Sequence, residues 1–319
     1  MTQEIKFIGA ISEDFRSKIV AAIEKLQMQF EDGLSIYFDN IQILNSHSGV
    51  HILILLEPPA VMPENYAKRN HKKFDLIVCL SPWRAKELSI PYWSFQPISI
   101  QSGFRKHLSS RIEGIVLIND HKFGATRSSL YGYRRKIIKR LENSMIPIHI
   151  YGPNWNMSRS VELRKRFAAL RRAIANSDAM SIKEAFSEFG RRYSSYLGHA
   201  SDKIEVMSSY KFALVIENDE FSLTEKIFDA LHSGCVVFYR GPQLDQFLNV
   251  SLPYIGLSSS VEGSMKIIKN CFDETPPSLN QSISKFAELN YPFNELNEET
   301  VADDIARHIA KFKKSGLED

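Results

Sequence analysis

Short apolar runs alternate with amphipathic stretches along most of the chain. Ile5 to Ile11, Leu34 to Phe38, Val50 to Leu56 and Phe74 to Leu80 read as strands, with a helix over Phe15 to Phe30 between the first two. Gly114 to Ile118, Ile146 to Tyr151, Phe212 to Ile216, Cys235 to Tyr239 and Pro253 to Leu257 have the length and β-branched content of buried strands. Leu130, Arg134, Ile137, Ile138 and Leu141 share one helical face, and Val161 to Asn176, Ser181 to Leu197 and Val261 to Cys271 predict further helices. Val301, Ile305, Ile309 and Phe312 form a last apolar stripe over Glu298 to Lys313. Strands alternating with helices predict parallel sheets with helices on both faces, and 319 residues are enough for about two such domains.

The stretch Tyr210 to Pro242 concentrates the chemistry. A strand, Phe212 to Ile216, leads through a polar loop into Ser222-Leu223-Thr224-Glu225, which has the form of a helix capping box. Ile227, Ala230 and Leu231 follow on one helical face; Gly234 ends the helix, and a second strand stops at Gly241-Pro242. Polar residues at the carboxyl end of a strand and the start of the next helix sit where such units bind ligands. A helix N-terminus with Lys226 beside it suits a phosphate, and Glu225 could grip a sugar diol. The same residues also read as a capped helix with a solvated Glu and Lys.

Two further positions stand out. Glu57 ends the strand Val50 to Leu56, and Pro58-Pro59 forbids the strand's continuation and stiffens the loop; Glu57 is either a functional acid or a strand-terminating one. Arg134 points with the apolar stripe of its helix, so its guanidinium needs a partner: phosphate oxygens, a structural carboxylate, or water reached by snorkelling. Arg135 and Lys136 are expected to be solvated. The aromatic residues Trp83, Tyr92, Trp93 and Phe95 read as packing before they read as sugar platforms.

Composition narrows the classes. A net charge of +3 implies no global attraction to nucleic acid or anionic membrane. The basic residues Arg164, Lys165, Arg166, Arg171, Arg172, Arg191 and Arg192 are offset by Glu162, Glu184 and Glu188, and read as a solvated helical face. Acids near the N-terminus and the lack of a long apolar core argue against a secretory leader, and no window predicts a membrane span. Cys79, Cys235 and Cys271 lack metal-ligand spacing, and the first two lie in apolar runs as inert thiols fitting a reducing compartment. No Asp-x-Asp pair, HExxH or P-loop occurs, so no metal is expected.

Tyr210-Lys211-Phe212, Glu217-Asn218, Thr224-Glu225-Lys226-Ile227, Ala230-Leu231 and Gly241-Pro242, in that order, resemble the signature of family 10 glycosyltransferases, the α-1,3/1,4-fucosyltransferases. Arg134, seven residues before Leu141, resembles the family's diphosphate-contacting arginine; Tyr151-Gly152 resembles its aromatic-Gly element, and Glu57-Pro58-Pro59 its general-base element. The resemblance implies a GT-B fold, two doubly wound Rossmann-like domains facing a central cleft: an acceptor domain at 1–111, a donor domain at 112–290, and a C-terminal helix at 291–319 with the option of crossing back to the first. It implies an inverting transfer of fucose from GDP-fucose to a glycan hydroxyl, with Glu57 as base and Glu64 as the fallback. Arg134 and Lys226 would hold the diphosphate and Glu225 the ribose, with Asn218, Ser222 and Thr224 close to the donor.

The implied acceptor is a precursor of lipopolysaccharide, capsule or another surface polysaccharide, handled in the cytoplasm or at the inner membrane face, with no tightly bound cofactor and no nucleic acid. Two departures surround the sugar pocket: Ser222 stands where the family often has an aromatic residue, and Val237 where it has proline. The loop from Asn218 to Thr224 is also short. Another nucleotide-sugar therefore stays open as donor, as does a non-catalytic nucleotide-sugar or glycan binding protein.

Overall fold

A computed structural model describes residues 5–42, 49–98, 110–248, 251–288 and 296–315. The chain runs β1 (Ile5–Ile8), α1 (Glu13–Lys25), β2 (Leu34–Phe38), β3 (Val50–Leu55), α2 (Lys68–His71), β4 (Leu76–Cys79), α3 (Pro82–Leu88), β5 (Ile112–Ile118), α4 (Tyr131–Glu142), β6 (Ile148–Tyr151) and α5 (Arg159–Ala175). It continues through α6 (Ile182–Ala185), β7 (Tyr196–Gly198), α7 (Lys203–Ser208), β8 (Tyr210–Ile216), α8 (Lys226–His232), β9 (Val236–Arg240), β10 (Tyr254–Gly256), α9 (Val261–Asp273), α10 (Pro277–Glu288) and α11 (Glu298–Ser315). The contacts divide it into two compact units. Met1–Ser99, Phe221–Leu223 and Pro292–Asp319 form one; Ile100–Glu220 and Thr224–Tyr291 form the other. The expected boundary at 290/291 lies outside the described residues.

The first unit carries a parallel sheet in the order β1-β2-β3-β4. Successive residues of a strand face opposite sides, and the core divides accordingly. Ile36, Ile54 and Val78 pack on one side with Phe15, Ile19 and Ile23 of α1 and Val301, Ile305 and Ile309 of α11. Tyr37, Leu53, Leu55 and Cys79 pack on the other with Ala85 of α3. α11 is thus core to this unit, and Lys18 of α1 pairs with Glu298 at its start, 2.5 Å apart.

The second unit holds a six-stranded parallel sheet, β10-β9-β8-β5-β6-β7. Chain order runs outward from β5 through β6 and β7, then restarts at β8 and runs the other way through β9 and β10. The order reverses between β5 and β8, and ligands bind outside the carboxyl ends of the strands at such a reversal.

Four expectations fail. The stretch Ser181 to Leu197 is helical only over α6, after which turns lead into β7. Arg135, expected in water, is buried: its Nε donates to the Ser187 carbonyl at 3.2 Å, its guanidinium lies over the Phe123 ring, and burial pulls it down to about 9. Arg166, expected on a solvated face, is buried too, bound to Glu162 through Nε at 2.8 Å and to the Ser187 carbonyl at 3.0 Å. The Ser222 capping box does not form; α8 starts only at Lys226, and no side chain caps it. Among the described residues no helix is long and apolar enough to cross a membrane.

Candidate functional site

At the carboxyl end of β8, Glu217 is fully buried. Its carboxylate accepts the Thr224 main-chain N–H at 3.1 Å and the Thr224 hydroxyl at 2.7 Å. The Lys226 ammonium lies 3.6 Å from the same carboxylate and donates to the Thr224 hydroxyl oxygen at 2.9 Å. Burial pushes Glu217 above the usual carboxylate range, while Lys226 and the Thr224 donors pull the other way. Together these bonds tie the start of α8 to the end of β8. Gly241 makes room for them, since a side chain there would meet the Glu217 Cγ at 2.7 Å.

Arg134 reaches the same place from α4. The four apolar residues sharing its face are fully or nearly fully buried, and so is Arg134. Its guanidinium donates to the main-chain carbonyls of Ile216, of Glu217 at 3.0 Å and of Asp120 at 3.5 Å. Asp120 follows β5, so Arg134 bridges the two strands between which the order reverses. It has no ion-pair partner among the described residues, and burial lowers its proton affinity. Arg134 and Lys226 therefore converge on one residue, Glu217, the first by its carbonyl and the second by its carboxylate.

The other predicted donor residues are dispersed around this point. The Asn218 carbonyl accepts from the Leu130 amide at 3.0 Å, fastening the β8 loop to the start of α4. Glu225 is more exposed and faces Lys203 at 3.9 Å, while Lys203 also pairs with Asp229 at 2.7 Å. Ser222 belongs, with Phe221 and Leu223, to the first unit. There the Ser81 hydroxyl donates to the Phe221 carbonyl and the Arg84 guanidinium lies 4.2 Å from the Phe221 ring centroid. None of the predicted donor residues lines the cavity of about 620 Å³ that opens in the second unit beside Tyr133, Arg240 and Ser260.

In the first unit Glu57 follows β3 and is half-buried. The Glu57 carbonyl accepts the Tyr66 hydroxyl at 2.9 Å, and the Pro58 carbonyl takes the Val61 and Met62 amides at 2.8 and 2.9 Å, so the Pro58-Pro59 turn is well tied. The Glu57 and Leu56 amides both donate to the carboxylate of Asp39, at 2.8 and 3.0 Å. Glu64 lies seven residues on, and one of its carboxylate oxygens is buried without a hydrogen-bond partner.

Glu217 and Asp39 escape the sequence reading as site residues. Glu217 is visible there only as one letter of a motif, because its partner Thr224 lies seven residues away across a loop. For Asp39 the signal was Asp-Asn directly after a strand, a pair that tolerates a left-handed backbone; its φ is +47°. No group of three or more His, Cys, Asp or Glu residues is placed to hold a metal among the described residues.

No family model and no curated relative matches the chain. Solved structures match it at low identity. Anabaena HepE in complex with UDP and glucose aligns with a TM-score of 0.52 and 10% identity, over 97% of this chain and 100% of that one. TarM aligns with a TM-score of 0.50 and 11% identity over 92% of this chain. An α1,3-fucosyltransferase with GDP aligns with a TM-score of 0.49 and 13% identity, over 99% of this chain and 90% of that one. The chain spans 58% of the length of TarM and 60% of the matched chain of a GtfA/B complex. At these identities the likeness establishes the fold: two parallel-sheet α/β units of the GT-B glycosyltransferase type.

Proposed function

We propose that the chain is an inverting glycosyltransferase that moves fucose from GDP-fucose to a hydroxyl of a glycan acceptor. The observation that carries the reading is the meeting of Arg134 and Lys226 on Glu217 between the carboxyl ends of β5 and β8. In this reading the second unit binds the donor and the first binds the acceptor. Arg134 brings a buried cation hydrogen-bonded to main-chain carbonyls, and Lys226 adds a second one that Glu217 holds in place. A nucleoside diphosphate gains negative charge as it leaves, and fixed positive groups in a partly dry site stabilise that charge where it develops. Glu225 takes the ribose, with Asn218, Ser222 and Thr224 near the donor. The motif resemblance supports GDP-fucose as the donor, and UDP-glucose is the donor to test beside it, since HepE was solved with UDP and glucose.

Glu57 takes the proton of the acceptor hydroxyl as that oxygen attacks the anomeric carbon. The new carbon–oxygen bond forms on the face opposite the breaking bond to phosphate. GDP departs with the electron pair, and the configuration inverts. The two prolines after Glu57 support the role because they fix the direction of the chain that carries it.

Thermal unfolding in the presence of GDP-fucose, GDP-mannose and UDP-glucose tests the donor site, since a bound ligand raises Tm by mass action. GDP-fucose is expected to give the largest rise. Glu57→Gln should keep that rise and lose about a hundredfold or more of turnover. Stabilisation by UDP-glucose alone would reassign the donor, and a Glu57→Gln protein with donor stabilisation and undiminished turnover would remove Glu57 from the chemistry. A non-catalytic binder would show stabilisation, no transfer, and indifference to Glu57.

A further inference from the structure

The carboxylate of Asp39 sits directly behind the proposed base. Asp39 is the first residue after β2, and its amide donates to the Ile54 carbonyl at 3.0 Å, which sets it beside the end of β3. Its two oxygens divide the surrounding donors. Oδ1 takes the Leu56 amide at 3.0 Å and the side-chain amide of the buried Asn65 at 3.0 Å; Oδ2 takes the Glu57 amide at 2.8 Å. Asn65 is held from behind, because its carbonyl meets a ring nitrogen of His71 on α2 at 2.7 Å. No lysine or arginine pairs with Asp39 among the described residues, and Glu57 is the charged group that bears on it. Three neutral N–H donors thus hold one carboxylate, and two of them belong to the main chain that delivers Glu57.

We infer that Asp39 is a positioning residue for Glu57, fixing the end of β3 through the Leu56 and Glu57 amides so that the Glu57 side chain leaves the strand in one direction. The inference rests on the reading of Glu57 as base and adds the group that aims it. The conformation supports a dedicated role: Asp39 keeps a left-handed backbone, uncommon for a residue with a side chain, and that turn brings its carboxylate to both amides. The clamp also titrates. Burial, with a smaller contribution from the Glu57 charge, raises Asp39 to about 6 against the three hydrogen bonds that favour its ionised form. An ionised carboxylate accepts N–H bonds about twice as strong as those a neutral carboxyl accepts. Below pH 6 the proton also occupies one oxygen, so the clamp loosens. The other titratable groups around it are Glu57 itself, Glu64 next to Asn65, and His71 behind Asn65.

The test is Asp39→Asn in the full chain, which tolerates the same backbone but offers one accepting oxygen in place of two. Turnover should fall about tenfold with the donor KM within about twofold, because a misdirected base slows the chemical step and not donor binding. The wild-type rate should fall as pH drops through about 6, and the variant should lack that step. Hydrogen exchange at the Leu56 and Glu57 amides should speed up in Asp39→Asn while exchange in β8 and α8 stays unchanged. Asn65→Ala, which leaves the Asp39 charge, should show a smaller loss of turnover and keep the pH step. Unchanged exchange at those two amides would overturn the clamp. Faster exchange with wild-type turnover and an intact pH step would overturn its link to catalysis. Failure of the base reading itself looks different: Glu57→Gln would then retain full turnover whatever Asp39→Asn does.

Discussion

The loop after β8 and the loop after β3 are tied by the same device with opposite electrical settings. Each has a buried or half-buried carboxylate at a strand's carboxyl end collecting main-chain N–H groups from a nearby segment. Glu217 has the Lys226 ammonium beside it, whereas Asp39 has only neutral donors and the Glu57 carboxylate. A carboxylate beside a cation has an opposite charge to offset part of the cost of its burial. One without a cation sits close to its titration point, and its grip depends on pH. The second unit thus carries an anchor balanced by a neighbouring charge, and the first carries one held by neutral donors alone.

Removing the anchors should break this contrast most sharply at Glu217. Glu217→Ala leaves the Thr224 N–H and hydroxyl and the Lys226 ammonium without their acceptor, and should cost about 4 kcal/mol, read from the urea midpoint at constant m. A loss below about 1 kcal/mol would mean that water replaces the carboxylate freely. The next effect is the pH dependence of Asp39. Its folded value of about 6 lies above the ordinary aspartate value, so the folded state holds the proton more tightly than the unfolded chain. The stability this contributes is fully present below about pH 4 and lost as pH rises to 6, amounting to about 3 kcal/mol. Subtracting the unfolding free energy of Asp39→Asn from that of the wild type at each pH should expose that slope. A flat difference would mean that the folded and unfolded chains bind the Asp39 proton equally. The smallest effect belongs to exposed pairs such as Lys136–Glu184, where Lys136→Ala should change stability by about 0.5 kcal/mol or less.

Much of the second unit was legible because its signals are local. The strand at Phe212 to Ile216, the helix closed by Gly234 and the strand ending at Gly241-Pro242 announce themselves through apolar runs and breakers, and the face shared by Arg134 and Leu141 follows from helical period alone. The errors fall where burial is decided by residues far off in sequence. Periodicity marked Arg135 as turned away from the apolar stripe, yet Phe123 and the Ser187 carbonyl bury it from another segment. The Ser222-to-Glu225 pattern offered a cap, but the helix begins only at Lys226, and Thr224 bonds back to Glu217 instead. At Glu57 the prolines announced a stiff turn, whereas the group behind it depended on a backbone twist that only the folded chain displays. α10 escaped notice because Thr275-Pro276-Pro277 reads as a turn, although proline at a helix's first position is favourable.

The place of α11 has a consequence for biosynthesis. The side chains of Val301, Ile305 and Ile309 complete the core beneath β2, β3 and β4, yet they leave the ribosome after every residue of the other unit. Nascent chains fold as their parts emerge, so the segment carrying β1 to β4 must wait half-made while the middle matures. Translation that halts just before Glu298 would release a molecule with one finished lobe and one that exposes its oily underside to chaperones and proteases.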